Sequence, residues 1–486
     1  MSHELWSAFE AAAATGGALC ARGGGDDQEG WPAEDWTARG ISIDTRNLKP
    51  GDIFVALKAA RDGHEFLGNA FESGAAAALV ARAPDDAPEG KPLLVVGDTL
   101  EGLRDLARAA RLRNFGKRIA VTGSAGKTST KEILRAILGA QASVHAADKS
   151  FNNHWGVPLT LARLPMHAEY SVFEIGMNHA GEITPLTELV KPHAAIVTTV
   201  AEAHLENFES IEGIAEAKAE IFKGLKPGGA AVLPIDNDFY PLLRKRAEEC
   251  GAGSFITFGE DEKADFRLLD YADEGAGASL RVAIRGNERA FRVAIPGRHQ
   301  ALNMLAALAA AEAVGAELDA GIAALATIAP AEGRGERAVI RAGSGEAVLI
   351  DESYNANPAS MAAAIGVLGA TPVGEGGRRI AVLGEMLELG PDAPRFHADI
   401  AEKLVAAKVD RVYAAGALMR HLWDRLDPAM RGLHAGSAVG LVGPVEDAVR
   451  PGDVIMVKGS NASKVSAVAK ALRGPTHETG ASEKKD

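Results

Sequence analysis

The sequence predicts an α/β protein of three domains: a small α/β N-terminal domain, a central P-loop-type domain with a parallel sheet, and a C-terminal doubly wound, Rossmann-like domain. Three observations predict this class. The chain has 486 residues, enough for about three domains. A glycine-rich loop near residue 123 joins an apolar run to an amphipathic run. Short apolar runs alternate with helical patterns on both sides of a Pro/Gly-containing segment at 330–335, which is typical of βαβ units.

The first domain, residues 1–114, is predicted from apolar runs separated by turn residues. The expected strands cover residues 41–46, 53–57, 76–80 and 93–96. A helical pattern over about 100–114 leads into the next domain.

The central domain, residues 115–331, continues the alternation. Its expected strands are 118–121, 171–175, 194–200 and 230–233, with a helical pattern at 211–225. Shorter β-type segments fill residues 254–296, and an alanine-rich helix covers 300–313. The pattern predicts a largely parallel sheet.

The C-terminal domain, residues 332–473, repeats this organisation. Its expected strands are 347–350, 379–383, 411–414 and 453–457, with helices between them. The polar and charged tail at 474–486 is expected to be disordered.

Composition narrows the function classes. The formal net charge is −13, from 52 basic and 65 acidic residues, so we expect no nucleic-acid partner and no general affinity for anionic membranes. One local basic pocket for a phosphate-bearing substrate stays compatible with this charge. The sequence contains no run of about 18 uncharged apolar residues, so no membrane span is predicted. The N-terminus does not resemble a signal peptide. Cys20 and Cys250 lack the spacing of metal ligands. We expect a cytoplasmic protein without stable membrane insertion.

The stretch from Val121 to Thr130 carries the clearest chemistry. The loop residues that we expect to bind ATP or GTP are Gly123, Ser124, Ala125, Gly126, Lys127, Thr128 and Ser129. Backbone N–H groups of such a loop wrap a polyphosphate, lysine reaches the outer phosphates, and the threonine hydroxyl can hold Mg²⁺. Val121 stands where the usual motif has its first glycine, and a glycine turn without a ligand is the alternative interpretation.

Other polar residues follow predicted strands, where ligands of parallel sheets gather. Glu174 ends one strand, and His204 follows another. With Thr128, they form a donor set that suits Mg²⁺ shared between protein and phosphate. The alternative for His204 is a helix-capping or packing role.

Three further features have a structural and a functional interpretation. Lys218 lies on an amphipathic helix, where lysine is usually solvated. Asn152 and Asn153 precede a Gly-x-Pro turn, and could form the turn or present amides to a ligand. The polar run from Asp351 to Pro358 follows a buried strand, and a helix N-cap accounts for part of it.

More motifs follow in order along the chain: Asp44-Thr45-Arg46 with Lys49–Leu57, Phe151–Pro158, Glu174–Asn178, Gly297–His299 with Asn303, Arg334, Tyr354–Pro358 and Leu383–Gly390. Together with the loop, His204 and Lys218, they resemble the Mur ligase family over nearly the whole chain. The last two motifs most resemble the branch that adds a terminal dipeptide. The Asp-Asn-Pro-Arg run of the diaminopimelate-adding relative is absent.

The resemblance implies residue roles. Lys127, Glu174, His204, Lys218 and Arg334 would be catalytic. Thr128, Glu174, His204 and a carbamylated Lys218 would hold Mg²⁺. The resemblance also implies nucleotide contacts from Asn303, Asp351, Tyr354 and Asn355, and substrate contacts from Thr45, Arg46, Asn152 and Asn153.

The implied activity is that of a monomeric, ATP-dependent amide ligase. It would join D-alanyl-D-alanine to UDP-N-acetylmuramoyl tripeptide through an acyl phosphate, in peptidoglycan precursor synthesis. Another ligase of the superfamily, such as a tripeptide-forming member or folylpolyglutamate synthetase, is one alternative. A nucleotide-switch protein without ligase activity is the other.

Overall fold

Four β-sheets form the framework of the part of the chain that the structure describes. The computed structural model describes residues 4–21, 36–85, 87–203, 205–275 and 277–474. The predicted metal-binding residue His204 and residues 475–486 of the predicted disordered tail lie outside the described residues.

The N-terminal segment contains a five-stranded sheet in the order β2-β7-β6-β5-β4, and β1 pairs with β3 in a separate ribbon. Its elements are β1 Trp6–Ser7, α1 Ala8–Thr15, β2 Ala18–Ala21, β3 Thr37–Ala38, β4 Gly40–Ser42, β5 Asp52–Val55, α2 Leu67–Glu72, β6 Ala77–Val80, β7 Pro92–Val95 and α3 Thr99–Arg113. The predicted strand 41–46 is too long. It ends at Ser42 because the Asp44 carboxylate accepts the Arg46 N–H at 3.0 Å and caps a 3₁₀ turn over Thr45–Asn47.

The central sheet has nine strands in the order β16-β15-β14-β13-β12-β11-β8-β10-β9. Its elements are β8 Lys117–Thr122, α4 Lys127–Gly139, β9 Val144–Ala146, α5 Gly156–Ala162, β10 Tyr170–Glu174, α6 Ile183–Val190, β11 Ala194–Val197, α7 Ile211–Ala219, β12 Ala230–Pro234, α8 Tyr240–Glu249, β13 Ser254–Gly259, β14 Phe266–Asp273, β15 Ala278–Ile284, β16 Asn287–Val293, α9 Arg298–Ala313 and α10 Leu318–Leu325.

Strands β8 to β14 pair in parallel, and β15 and β16 extend the sheet as an antiparallel meander. The predicted strand 194–200 ends at Val197, because the Thr198 hydroxyl turns toward the glycine loop and donates to Ala125 O at 2.5 Å. The predicted helix 211–225 ends at Ala219 and continues as a 3₁₀ turn. Helix α9 is buried along most of its length, since its alanines let it pack closely against α4 and the sheet.

The C-terminal sheet has six strands in the order β17-β18-β22-β19-β20-β21, all parallel except β17. Its elements are β17 Glu336–Ala342, β18 Gly345–Glu352, α11 Pro358–Ala370, β19 Arg379–Gly384, α12 Ala393–Ala398, α13 Ile400–Ala406, β20 Arg411–Ala415, α14 Met419–Arg425, β21 Arg431–Ala435, α15 Val442–Ala448, β22 Val454–Lys458 and α16 Ser466–Arg473. Apolar clusters cover both faces of this sheet, so it is doubly wound as predicted. Strands β17 and β21 were not predicted; both are edge strands, and β21 has no apolar run.

The first and central segments share one apolar core. This cluster joins residues such as Trp6 and Ile41 to Phe173 and Ile175. Trp6 Nε1 donates to Ala162 O at 3.0 Å, and Arg163 Nε donates to Ile41 O at 2.6 Å. The three-domain α/β class is confirmed, while the limits at residues 114 and 331 stay predictions.

A buried ion pair stabilises the C-terminal sheet. The side chain of Asp453 is 0% exposed and accepts from Arg378 Nη2 at 2.6 Å and from the Arg450 N–H at 2.9 Å. Replacing Asp453 by alanine leaves a half-buried guanidinium without its charge partner, and breaking such a pair costs about 3–5 kcal/mol. We expect Asp453→Ala to lower the midpoint of the C-terminal unfolding transition in urea. Asp447→Ala, at an exposed position on α15, is the control; equal midpoints for the two variants would contradict the prediction.

Candidate active site

The glycine loop lies between the end of β8 and the start of α4, at the carboxyl edge of the central sheet. Gly126 has φ +83°, in the left-handed region that favours glycine. A Cβ atom at this position would meet the side-chain amide of Asn303. The loop therefore adopts a strand–loop–helix conformation suited to polyphosphate, and Asn303 lies directly against it.

Lys127 occupies a desolvated position at the start of α4. Its ammonium donates to Gly123 O at 2.6 Å. Burial lowers the pKa of Lys127, the nearby Glu174 carboxylate raises it, and the charge of Arg334 lowers it further. Two cations facing one cavity favour an anionic ligand there.

The Glu174 carboxylate is the centre of a polar cluster beside the loop. Thr128 Oγ1 donates to Glu174 Oε2 at 2.8 Å, and Asn152 Nδ2 donates to Glu174 Oε1 at 2.7 Å. Ser150 Oγ lies 3.0 Å from Thr128 Oγ1. Glu174, Thr128 and Asn152 thus come together as predicted, whereas Ser150 was not predicted. The carboxylate and hydroxyl oxygens are the ligands that Mg²⁺ prefers.

Lys218 is not on a solvated helix face. Its residue is 2% exposed, on α7, and in the described ranges no hydrogen bond or ion pair to its ammonium is found. Burial lowers its pKa well below the ordinary value, and the charge of Lys127 lowers it further. The amine is therefore driven toward its neutral, nucleophilic form.

A cavity of about 570 Å³ lies between the central and C-terminal sheets. Predicted residues in its wall are Ser124, Ala125, Gly126, Lys127, Thr128, Ser129, Asn152, Glu174, Asn303, Arg334, Tyr354 and Asn355. The guanidinium of Arg334 stacks 4.0 Å from the centre of the Tyr354 ring. Asn357 Nδ2 donates to Ser124 O at 3.1 Å, so the C-terminal unit contacts the phosphate loop directly.

Four of the described residues predicted for this site do not line the cavity: Gly123, Lys218, Asp351 and Asn153. The Asp351 carboxylate accepts from Ser353 Oγ at 2.6 Å and from Arg473 Nη2 at 2.8 Å, and it does not line the cavity. Asn153 Oδ1 accepts the Gly156 N–H at 2.9 Å, at the start of α5. The Asn153 side chain thus forms the turn, which is one of the two interpretations left open, whereas Asp351 joins β18 to α16 and the cap of the helix after the polar run is Asn357.

A second cavity, of about 990 Å³, lies where the N-terminal segment meets the central one. Thr45 and Arg46 contribute to its wall, as do the basic residues Arg39, Lys49, Arg61, Lys149 and Arg163. Arg46 is 85% exposed on its side chain and pairs with Asp44 at 2.7 Å. The concentration of cations suits an anionic substrate.

One short segment separates the two cavities. Ser150 and Asn152 line the first cavity, while Asp148, Lys149 and Phe151 line the second. A ligand extending along this wall from the second cavity would reach the region of the phosphate loop.

Lys458, which was not predicted, and His299, which belongs to the Gly297–His299 motif but was given no role, also line the first cavity. Lys458 Nζ donates to Asn355 O at 3.0 Å and lies 3.6 Å from Glu352 Oε2. Burial lowers the pKa of Lys458, and the Glu352 charge opposes this shift. Its position at the carboxyl end of β22 was a usable signal, because ligands gather at that edge of a parallel sheet.

In the part of the chain that the structure describes, no group of three or more His, Cys, Asp and Glu side chains is arranged to hold a metal ion. There is likewise no described helix that is both long and apolar enough to cross a membrane.

The phosphate loop, the cavity between two parallel sheets and the facing lysines define a nucleotide-binding protein. Residues 121–311 match the family model described as "Mur ligase middle domain", and residues 333–461 match the model described as "Mur ligase, glutamate ligase domain". The chain belongs to the Mur ligase family.

Relatives and solved structures agree with this assignment. The UDP-N-acetylmuramoyl-tripeptide--D-alanyl-D-alanine ligase of Bacillus subtilis is 37% identical over 451 residues, covering 90% of this chain and 94% of the relative. The ligase of the same name from Escherichia coli is 36% identical over 444 residues, covering 90% and 94%.

A crystal structure of MurF from Acinetobacter baumannii is similar with a TM-score of 0.82 and 28% identity, covering 97% of this chain and 99% of that one. The MurF ligase of Thermotoga maritima in complex with ADP has a TM-score of 0.75 and 28% identity, covering 89% and 97%.

Proposed function

We propose that this protein is the ATP-dependent ligase that joins D-alanyl-D-alanine to UDP-N-acetylmuramoyl tripeptide in peptidoglycan precursor synthesis. The observation that carries the proposal is the shared wall at residues 148–152 between the nucleotide cavity and the cation-lined cavity. A UDP-linked substrate held in the second cavity would direct its peptide end toward the phosphate loop. The full-length similarity to ligases of that name supports the choice of substrates.

The chemistry requires activation of a carboxylate, which is a poor acylating agent. A carboxylate oxygen of the tripeptide attacks the γ-phosphorus of ATP, ADP leaves, and an acyl phosphate forms. The amine of the dipeptide then attacks the acyl carbon, and phosphate leaves with that oxygen. Lys127 and Arg334 would neutralise the developing phosphate charge, and the protein chiefly positions the reactants.

The oxygen-rich cluster of Thr128 and Glu174 fits Mg²⁺, which would neutralise phosphate charge when bound. We further propose that Lys218 is carbamylated and, with His204, contributes to a second magnesium site. The buried, depressed-pKa amine of Lys218 supports this, because only a neutral amine adds to CO₂.

We assign the remaining residue roles according to the cavity that each residue lines or lies near. Asn303, Tyr354 and Asn355 would contact the nucleotide. Asp351 would orient the Ser353 region and reach the nucleotide only through it. Thr45 and Arg46 would contact the UDP-sugar, with Asn152 near the reacting end and Asn153 positioning the α5 turn. We expect a cytoplasmic monomer.

Phosphate release by the purified protein tests the function. With ATP and Mg²⁺, release should require both UDP-N-acetylmuramoyl tripeptide and D-alanyl-D-alanine. Equal release with a free amino acid in place of the dipeptide would favour another ligase of the superfamily. Slow hydrolysis that is indifferent to any amine would favour a nucleotide switch. With ¹⁸O in the tripeptide carboxylate, the label should appear in the released phosphate; unlabelled phosphate would eliminate the acyl phosphate.

We expect Glu174→Gln to lower kcat by about 10²-fold, since the amide keeps the shape of the cluster but removes the negative charge beside Thr128. The Mg²⁺ concentration needed for half-maximal rate should rise. Glu182→Gln, at an exposed carboxylate that pairs with His179, is the matched control. A Glu174→Gln enzyme with unaltered rate and Mg²⁺ response would remove this carboxylate from the metal site.

A further inference from the structure

A cluster of basic residues lies at the amino edge of the central sheet, opposite the phosphate loop. Lys117 and Arg118 begin β8, Arg111 lies in the last turn of α3, and His193 and Lys226 precede β11 and β12. The Arg118 N–H donates to His193 Nδ1 at 3.0 Å, and Lys226 Nζ lies 3.4 Å from His193 Nε2. Packing therefore brings together basic residues from three separate parts of the sequence, of which Arg111, Lys117, Arg118 and Lys226 carry the charge.

The hydrogen-bond acceptors that the protein places against these cations are backbone carbonyl groups rather than carboxylates. Arg118 Nε donates to Val190 O at 2.9 Å, and Arg111 Nη1 donates to Glu188 O at 3.5 Å. Among the described residues, none of the four Lys and Arg side chains forms an ion pair, and Arg111 Nε is buried without a hydrogen-bond partner. The carboxylates of Glu169 and Glu188 are exposed at the border.

Burial and, after it, neighbouring positive charges lower the pKa values of this cluster. Burial, and then the charge of Arg111, lowers the pKa of Arg118 to about 10. Burial, and then the charges of Arg118, Lys226 and Lys117, lowers the pKa of His193 to about 4. An external anion at this edge would relieve the repulsion.

Large apolar side chains are exposed beside these cations. Phe115 is 92% exposed, Leu112 is 71% exposed and Met166 is 47% exposed. Asn114 Nδ2 donates to Met166 O at 3.2 Å, which holds the Met166 turn next to the segment of Phe115. Contiguous exposed apolar residues of this size mark an interaction surface more often than isolated ones do.

We propose that this basic-apolar face, formed by Arg111, Lys117, Lys226, Leu112, Phe115 and Met166, adsorbs the protein to an anionic lipid surface. The cations would meet lipid headgroups, while the apolar side chains enter the interface without any segment spanning the membrane. The whole chain carries a net charge of −13, so attraction to an anionic surface would depend on a local face such as this one, which combines cations with exposed apolar side chains.

Other candidate ligands would contact fewer residues of this face. A free phosphate would engage the cations but leave Phe115 and Leu112 in water. A two-fold symmetric dimer through this face would place like charges opposite each other. The cations are too few and too close together to follow a nucleic-acid backbone.

The basic-apolar face lies far from the catalytic cavity. Lys117 and Thr122 are separated by five residue steps of β8, about 17 Å, so adsorption would leave the cavity facing solution.

Vesicle sedimentation with the full chain tests the proposal. At low salt, we expect binding to phosphatidylcholine vesicles containing about 30 mol% phosphatidylglycerol and at least tenfold weaker binding to phosphatidylcholine alone. Binding should fall as salt is raised, since screening weakens the headgroup attraction. Absent or lipid-independent binding would overturn the proposal.

Two variants separate the charge and the apolar contributions. Each cation near such a surface contributes about fivefold to partition, so Lys117→Glu combined with Lys226→Glu should lower it by at least about 25-fold. Phe115→Ser should lower it by about tenfold. A matched double variant on the exposed face of α13, Lys403→Glu with Val405→Ser, should bind as the parent does.

Ligase rate and unfolding midpoint in solution should stay unchanged in all these variants, because the affected side chains are exposed and remote from the cavity. Equal loss of lipid binding in the α13 variant would overturn the proposal. If the parent protein is a dimer that Phe115→Ser dissociates, the face is a dimer interface and the proposal fails. If the lysine variants lose RNA binding but keep lipid binding, the face binds RNA and the proposal fails as well.

Discussion

Lys127→Ala should lower kcat for phosphate release by about 10³-fold, with little change in fold. The ammonium is the loop cation that would face the outer phosphates, and removing one preorganised charge-stabilising group typically costs about 10²–10³-fold. Because the ammonium is buried at an energetic cost, its removal should leave the thermal midpoint unchanged or raised. Rate and midpoint are measured on the same preparation, together with Lys127→Met, which preserves side-chain volume.

Arg135→Ala is the matched control, since Arg135 lies on the same helix but pairs at the surface with Glu132 and Asp148. Its rate should equal that of the parent. Near-normal turnover by Lys127→Met would show that the loop lysine does not neutralise the transferred phosphoryl group.

Lys218→Ala should lower kcat by about 10²–10³-fold and should regain part of its rate with added acetate or propionate. The carbamate of Lys218 would supply a carboxylate-like anion, and a short carboxylate can occupy the space left by alanine. In the parent, ¹³C-bicarbonate should give a carbamate signal by NMR that the variant lacks. Full activity of Lys218→Ala would remove this residue from the mechanism.

Carbamate formation at Lys218 should depend on pH, because burial lowers the pKa of the Lys218 amine. The depressed pKa of Lys218 extends the range in which its amine is neutral toward lower pH, which would favour carbamate formation over a wider pH range than at a solvated lysine. As pH falls through that lowered pKa, the amine would be protonated and the carbamate would be lost. Lys223→Ala, an exposed lysine that donates to Thr184 Oγ1, is the control and should need no carboxylate.

The fold was largely predictable because its signals are local. Apolar runs bounded by turn residues predicted the central strands of each sheet, and the glycine loop predicted a β8–α4 unit that the structure contains. The errors fall where a side chain competes with strand pairing: Asp44 caps a turn after β4, and Thr198 turns to the loop after β11. Edge strands β17 and β21 carried too little apolar signal to be predicted.

The candidate site was predictable in part. Thr128, Asn152 and Glu174 were chosen from position and family motif, and the structure brings their polar atoms within hydrogen-bonding distance. Ser150 and Lys458 were missed because their neighbours in space are distant in sequence. The side chains of Asp351 and Asn153 are directed to Arg473 and to the α5 turn, and sequence position cannot reveal which way a side chain turns.

By itself, the sequence determined the order of strands and helices, the phosphate loop and the family, because each depends on contiguous residues. Only the tertiary structure decided which side chains meet. It set one five-residue wall between two cavities, desolvated Lys218, and gathered Arg111, Arg118 and Lys226 at one edge of the sheet. The physical reason is that burial and electrostatic interaction depend on distances across strands and domains, which strand order and packing establish and local pattern does not.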